Sequence, residues 1–365
     1  MYLRKLSLIN FKNYHEAELA FDEGANCFAG DNGAGKTNLL DAIYYLSSCK
    51  SYFNPVDSQN IFHGEEFFMV QGEFIVDDRE EIISCGLKRS QKKIFSRNRK
   101  EYPRLAEHIG LLPSVMISPY DNELITGGSE ERRKLMDSII SQYDRIYLDD
   151  LINYNKALMQ RNALLRSFSR GNYFDKDALS VWDETLMALG KKLFEKRQAY
   201  ISDFTPLFNK HYKFISGGRE EVAVVYDSHH HLENFEEHFR NALKRDLILE
   251  YSTAGIHKDD LQFTMSGHPV KKFSSQGQQK SFLISLKLAQ FDFIKSIKKL
   301  FPILLLDDIF DKLDDFRMNR LMELVSHDNF GQIFITDTHG ERVSKIFGQI
   351  KKPIRIFNIE NGMVK

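Results

Sequence analysis

The 365-residue chain has little cysteine, almost no net charge and no long apolar run, and each shortage removes a class of protein. Cys27, Cys49 and Cys85 are too few and too scattered for a disulfide framework or a four-ligand zinc site, which fits a reducing cytosol. Fifty Lys and Arg against fifty-one Asp and Glu leave a formal charge of −1. The molecule as a whole therefore offers a polyanion no attractive field, and any such binding has to come from local patches. The longest apolar runs, Ala42–Leu46 and Val222–Tyr226, have five residues, far from the roughly twenty needed to span a bilayer. Met1–Ser7 carries no apolar h-region, so neither a signal peptide nor a membrane partner is expected. There is no internal repeat and no low-complexity tract. What remains is a globular composition, 42% hydrophobic and 28% charged, long enough for about two to three domains.

Strand and helix signals alternate near the N-terminus. Leu6, Leu8 and Ile9 run up to Asn10-Phe11-Lys12-Asn13 and Glu16–Phe21 runs back, a hairpin-type pair. Asn26–Ala29 reads as a short buried strand, followed by a glycine-rich turn and then Leu39, Leu40, Ile43 and Leu46 at helical spacing. Strand character returns over Phe67–Val70, Glu73–Val76 and Ile82–Leu87. The next segment is basic, with Lys88, Arg89, Lys92, Lys93, Arg97, Arg99, Lys100 and Arg104 against Glu101. It reads either as the solvated face of a hairpin or as a patch for a phosphate backbone.

From Ser129 the texture changes. Ser129-Glu130-Glu131 suits a helix cap with acids in its first turn, and Leu135, Ile139, Tyr143, Tyr147, Leu151, Tyr154 and Leu158 continue one long helical stripe. Gly171-Asn172 breaks it. A second helix carries Trp182, Leu186, Leu189, Leu193, Tyr200, Phe204 and Phe208, and Pro206 is expected to kink it. The two make an antiparallel, coiled-coil-like arm, with Trp182 in its core. A third helix carries Leu232, Phe235, Phe239 and Leu243, and His229-His230-His231 before it reads as an exposed loop rather than a metal site. In the last third Ile303–Leu306 and Gln332–Thr336 are buried strands, and Asn361-Gly362 marks a two-residue hairpin.

Gly30-Asp31-Asn32-Gly33-Ala34-Gly35-Lys36-Thr37 matches G-x-x-x-x-G-K-[ST] in full and lies between a strand and a helix, the context that confirms a phosphate-binding loop. Its glycines let backbone N–H groups turn onto phosphate oxygens, and the helix that starts near Lys36 adds unpaired N–H groups and about half a positive charge. On this reading Gly30–Thr37, with Asn38, bind ATP; Lys36 reaches the β- and γ-phosphates and Thr37 ligates Mg2+. Ile303–Leu306 puts Asp307 at the carboxyl end of a central parallel strand, where ligands bind in open α/β sheets. Asp307 is expected to hold Mg2+ through water, and Asp308 to polarise the water that attacks the γ-phosphate. Ser275, Gln276, Gly277 and Gln278 precede a helix with Phe282, Leu283 and Leu286, a second anion-binding helix end. One nucleotide has little use for two such ends unless the second serves a partner copy across a two-fold dimer. A plain loop cap is the other reading.

Over essentially its whole length the sequence resembles the RecF family of bacterial DNA replication and repair proteins, ABC-type ATPases grouped with the SMC heads. The stretches that carry the resemblance are Leu8–Tyr14, Gly30–Leu40, Ser118-Pro119 with Asp121, Tyr154 with Gln160–Leu165, Gly255–Leu261, Ser275–Lys280 and Leu304–Asp308. It implies an α/β fold: a two-lobed P-loop ABC-type ATPase head, residues 1–128 and 246–365, with an inserted α-helical arm over 129–245. It also implies a homodimer with ATP sandwiched between protomers, which binds double-stranded DNA and single/double-strand junctions. RecR and RecO are then the implied partners, receiving gapped DNA so that RecA loads in the damage (SOS) response. By the same resemblance Ser275–Gln278 are a signature acting in trans, Asp314 is the D-loop carboxylate at the dimer seam, and His339 senses the γ-phosphate. Candidate DNA contacts are Lys92, Lys93, Arg97 and Arg99 in the basic segment and Arg132 and Arg133 at the arm base.

The sequence also departs from that pattern. Lys12 and Lys258 stand where arginine is frequent and give up its planar fork; Ile256 replaces proline, and Tyr120 an acid. SSQGQ stands for the LSGGQ of ABC transporters, and Asp308 for their glutamate, a shorter carboxylate that suits slow hydrolysis used as a switch. Two other classes share part of the pattern. A small-molecule kinase would use the P-loop but not Ser275–Gln278, and an SMC-like structural tether would need an arm far longer than about 60 Å. The expected location is the cytoplasm, on the nucleoid when DNA is bound.

Overall fold

The computed structural model describes residues 1–171, 173–309, 315–326, 330–349 and 353–365. They divide into two compact units, Met1–Asn122 with His211–Arg219 and Ser275–Lys365, and Glu123–Lys210 with Glu220–Ser274. Residues 246–274, which the sequence reading attaches to the second part of the head, have their contacts in the second unit.

In the first unit a sheet runs in the order Met363–Val364, Ile354–Glu360, Ala25–Ala29, Ile333–Asp337, Ile303–Asp307, Ser114–Ile117. All its neighbours are parallel except the terminal hairpin. Four of its strands are buried at every residue, which is why they read as unbroken apolar runs rather than alternating ones: both faces are covered. The register sets Thr336 level with Asp307, and Asp337 level with Ala29, so three strand ends meet at one edge of the sheet. The Lys36–Ser48 helix leaves that edge with Leu39, Leu40, Ile43 and Leu46 buried.

A second, antiparallel sheet has the order Tyr14–Ala20, Tyr2–Phe11, Phe67–Val76, Arg79–Lys88, Ile94–Arg97, Lys100–Glu101. The hairpin at Asn10–Asn13 is present, with Phe11 paired to Tyr14. Phe67–Val70 and Glu73–Val76, expected as two strands, are one, because Gln71 and Gly72 keep pairing with Ser7 and Leu6. Gly72 permits close packing there: a Cβ would stand 2.6 Å from the Phe74 ring and 2.7 Å from Leu46. Buried Gln332 joins the two sheets, accepting from Leu3 N at 2.7 Å and donating to Leu3 O and Asp22 O at 2.8 Å. Phe21 packs edge-on against Phe334, centroids 4.8 Å apart, and continues that junction as apolar core.

The second unit contains the helices Ser129–Ser141, Arg145–Gly171 and the described part of Lys176–Ser216 that precedes His211. The single long helix expected from Ser129 is interrupted at residues 142–144, because Asp144 accepts from Tyr147 N at 2.9 Å and caps a fresh helix. The first of these helices is capped at Gly128, not Ser129; Ser129 Oγ instead accepts from Arg133 at 2.7 Å. Helix partners run in opposite order, Leu165 with Leu179, Arg161 with Asp183 and Tyr147 with Arg197, so the pair is antiparallel. Charge fills much of its interior: fully buried Arg161 reaches Asp183 and Asp246 at 2.6 Å, and Arg197 reaches Asp259 at 2.7 Å. Trp182 is only half-buried. His229–His231 form a short turn in which His230 stacks on Phe235 at 3.7 Å, and burial pushes His230 down to about 4. No helix among the described residues is long and apolar enough to cross a membrane.

Candidate functional site

The glycine loop follows the Ala25–Ala29 strand and enters the Lys36–Ser48 helix, as its spacing predicts. Two of its glycines are demanded by geometry. Gly35 caps the helix at φ +117, and a Cβ there would fall 2.4 Å from Asn13 Nδ2; at Gly30 it would fall 2.2 Å from Ile359 O. Neighbouring segments take the loop's carbonyls: Asn13 Nδ2 donates to Ala34 O at 3.1 Å, Tyr14 Oη to Gly35 O at 3.1 Å, and Gly362 N to Ala34 O at 3.0 Å. With these carbonyls turned into the protein, Asp31–Gly33 stay exposed as the ligand side of the loop. Asn38 Nδ2 donates to Asn13 Oδ1 at 2.7 Å and ties the helix to the same hairpin.

Lys36 is buried and arches over the loop, donating to Gly30 O at 2.7 Å and Asp31 O at 2.9 Å. An ammonium has three donors, so one remains for a ligand. Asp307 ends its strand as expected and gathers three hydroxyls: Thr37 Oγ1 and Thr336 Oγ1 donate to Oδ1, each at 2.8 Å, and Ser118 Oγ donates to Oδ2 at 3.3 Å. Asp308 turns away from the strand at φ +50, held by its N–H donating to Thr336 Oγ1 at 3.0 Å. Asn32, Gly33, Gly35, Lys36, Thr37, Asn38, Asp308 and Thr336 line a cavity of about 190 Å³. Glycine-loop N–H groups, a helix N-terminus and a lysine suit a triphosphate. A threonine hydroxyl beside a carboxylate is the hard oxygen set Mg2+ takes. The residues therefore fit Mg·ATP.

Ser275 caps the Gln276–Lys298 helix in a full capping box: its N–H donates to Gln278 Oε1 at 2.8 Å, and Gln278 N donates to Ser275 Oγ at 3.3 Å. Ser275 and Gln276 are exposed, and none of Ser275–Gln278 is among the described residues lining the 190 Å³ cavity. Gln276 instead lines a neighbouring cavity of about 360 Å³ with Ser118, Gln279, Lys280, Asp307 and Asp308. His339 donates its N–H to Asp337 at 2.7 Å, and it lines a separate open depression with Met318, Glu341 and Lys345. Asp314 lies outside the described residues.

The basic candidates divide sharply. Lys93 donates to Asp57 at 2.7 Å and Cys49 O at 2.6 Å; Arg97 holds Glu81 in a two-pronged pair at 2.8 and 2.5 Å and keeps that carboxyl below its usual range. Arg132 grips Asp260 at 2.7 and 3.0 Å, and Arg133 donates to Asp259 O at 2.7 Å. Lys92 and Arg99 remain on the surface. From the sequence, Thr336 and the Asn361-Gly362 turn read only as a strand end and a turn, and Asn13 as a turn residue within the Leu8–Tyr14 stretch. Their role at the site depends on strands distant in the chain, and no local pattern signals it.

A glycine loop, two successive aspartates at a parallel strand's carboxyl end and a capped polar helix start, on this sheet and with this helical arm, define a P-loop ABC-type ATPase head. Residues 2–365 match the RecF/RecN/SMC N terminal domain family. The chain is 52% identical to the "DNA replication and repair protein RecF" of Flavobacterium johnsoniae, over 98% of this chain and 100% of that protein. To the protein of the same name from Phocaeicola vulgatus it is 51% identical, over 100% and 98%. Two solved structures of the recombination mediator protein RecF, RecF-ATP and RecF-ATPrS, superpose with TM-scores of 0.89 and 0.88 at 29% identity, covering 100% of this chain and 97% of theirs. An Smc head domain from Pyrococcus yayanosii shares the fold at TM-score 0.59 and 15% identity, over 100% of this chain and 96% of that one. The chain belongs to the RecF family.

Proposed function

We propose that this chain is an ATP-gated DNA-binding protein of recombinational repair and replication-fork maintenance, in which slow hydrolysis acts as a release switch. The observation that carries the reading is the meeting of Thr37 and Asp307 at 2.8 Å beside the lysine-spanned glycine loop. Loop N–H groups and Lys36 would hold the phosphates, and Thr37 and, through water, Asp307 would hold Mg2+, which would supply charge neutralisation at the phosphates. Asp308 accepts a proton as the water oxygen bonds to the γ-phosphorus and the bond to the bridging oxygen of the β-phosphate breaks. Ser275–Gln278 of a second copy close on the γ-phosphate, which makes ATP the link of a two-fold dimer. The exposure of Ser275 and Gln276, and the absence of all four from the described lining of the 190 Å³ cavity, support that assignment. Asp314 at the dimer seam and His339 at the γ-phosphate belong to the same dimeric reading.

The dimer binds duplex DNA and single/double-strand junctions and passes gapped DNA to RecR and RecO for RecA loading, in the cytoplasm and on the nucleoid. Family membership supports these partners, as does the naming of the RecFOR pathway for the two superposed structures. The test is sedimentation and DNA binding, over a salt series, of the wild type and Lys36→Met with and without a slowly hydrolysed ATP analogue. The expected result is nucleotide-dependent dimerisation and DNA binding that Lys36→Met abolishes. A monomer under all conditions, or binding indifferent to nucleotide and substitution, overturns the reading.

A further inference from the structure

Lys287 occupies the middle of the Gln276–Lys298 helix, on a stretch where Phe282, Leu283, Ile284, Leu286 and Leu288 are all buried, and it is buried with them at 4% exposure. Its ammonium meets Asp121, likewise 4% exposed, at 2.8 Å, and donates to Tyr52 Oη at 2.9 Å. Tyr52 Oη donates in turn to the same Asp121 oxygen. A Lys–Asp pair this deep is poor evidence of stabilisation, since well-packed apolar side chains of similar volume do as well or better. Its geometry points to a positional role.

The other Asp121 oxygen accepts from Ser118 N at 2.8 Å, and Ser118 Oγ is the group that reaches Asp307 Oδ2 at 3.3 Å. Pro119, which follows, confines Ser118 to extended backbone. The serine hydroxyl is thus held from two sides at the carboxylate that also receives Thr37. A further branch runs to the glycine-loop helix. Tyr52 N donates to Asp41 Oδ1 at 2.6 Å, and fully buried Asp41 is paired with Lys12 at 2.5 Å. The helix behind the glycine loop, the Asp307 strand and the helix behind Ser275 therefore converge on one buried cluster.

We propose that Asp121, Tyr52 and Lys287 are positioning residues that hold Ser118 against Asp307, and that they thereby set the Mg2+ affinity of the nucleotide site. The inference rests on the Mg·ATP reading above. A carboxylate that serves a metal is oriented by its own hydrogen-bond partners, and removing such partners typically lowers metal affinity about 10–100-fold.

The test is binding of a fluorescent ATP analogue over a Mg2+ series, with a metal-free arm. Lys287→Met is expected to raise the Mg2+ concentration for half-maximal enhancement at least about tenfold, with metal-free nucleotide affinity and circular dichroism unchanged, and Lys287→Arg to restore most of it. Tyr52→Phe, which removes one hydroxyl and spares the fold if Lys287→Met does not, moves the midpoint in the same direction, as does Ser118→Ala. Midpoints within twofold of wild type in Ser118→Ala and Tyr52→Phe overturn the inference. A wild type whose nucleotide binding ignores Mg2+ overturns the Mg·ATP reading beneath it, a distinguishable failure.

Discussion

Thr37 Oγ1 donates to Asp307 Oδ1 at 2.8 Å although 270 residues separate them in the chain. The contact joins the first turn of the glycine-loop helix to the carboxyl end of a central strand. On the Mg·ATP reading, Thr37 would hold the cation directly and Asp307 through water, and this contact is what sets the two oxygens side by side. Thr336 supports the same Asp307 oxygen and also fixes the turn of Asp308, tying the two successive carboxylates together.

That division of labour predicts two distinct phenotypes. Lys36→Met is expected to lose ATP binding. Asp308→Asn is expected to keep ATP binding and dimerisation while hydrolysis slows by about 10²–10⁴-fold, the range for a lost general base. Equilibrium nucleotide binding and phosphate release, measured on both variants, check the split; an Asp308→Asn protein with wild-type turnover removes Asp308 from the chemistry.

Ser275 carries two roles that one substitution separates. As an N-cap, its replacement by Ala costs about 1 kcal/mol of stability, read as a small fall in Tm. As a group that closes on a partner's nucleotide, its loss weakens ATP-driven dimerisation well beyond that. Thermal melts of the nucleotide-free protein and sedimentation with an ATP analogue supply the two readings. A lowered Tm with unchanged dimerisation leaves only the capping role.

Acid is expected to destabilise the first unit through His108. The ring is fully buried, with Nε2 donating to Leu46 O at 2.6 Å and Nδ1 3.2 Å from Tyr102 Oη, and burial pushes it down to about 4. The native state therefore holds a neutral imidazole, whereas the unfolded chain protonates near 6.5. This contribution is fully present above about pH 6.5 and is lost as pH falls toward 4, at a slope of up to about 1.4 kcal/mol per pH unit. Tm measured from pH 7.5 to 4.5 follows that course, and a His108→Gln variant gives a flatter profile over the same window.

For DNA, the basic hairpin separates by partner. Lys92 and Arg99 are exposed, whereas Arg97 is committed to Glu81. Alanine at Lys92 or Arg99 is expected to weaken binding uniformly across sequences and to reduce the slope of log affinity against log salt by about 1. Arg97→Ala is expected to lower Tm and to leave that slope unchanged. If all three leave the slope unchanged, the DNA surface lies elsewhere.

What was legible in the sequence was whatever is encoded locally. The glycine loop could be read because its glycines meet backbone demands that neighbouring residues impose, and the central strands because burial on both faces demands continuous apolar runs. Asn361-Gly362 was legible for the same reason: both residues take positive φ, +48° and +74°, in a two-residue hairpin. The break at residues 142–144 was not, since the hydrophobic stripe continues at helical spacing through it and only the Asp144 side chain marks the new start.

The sequence by itself determined the glycine loop with its strand and helix, the buried strand that ends in Asp307 and the helical arm. Each of these is written in spacing, and spacing acts through short-range sterics and periodic burial. Tertiary structure alone decided that Ser118 and Thr336 orient Asp307, and that Asn13 and Gly362 brace the loop carbonyls. It alone buried Lys287 among apolar neighbours, tied Lys93, Arg97 and Arg132 into ion pairs, and turned Arg133 onto the Asp259 carbonyl. A polar side chain's role is set by the partner that satisfies it once water is excluded, and here such partners lie hundreds of residues away, as between Gln332 Oε1 and Leu3 N, 329 residues apart. Composition showed only that charges balance; the fold decided which of them are free to meet anything else.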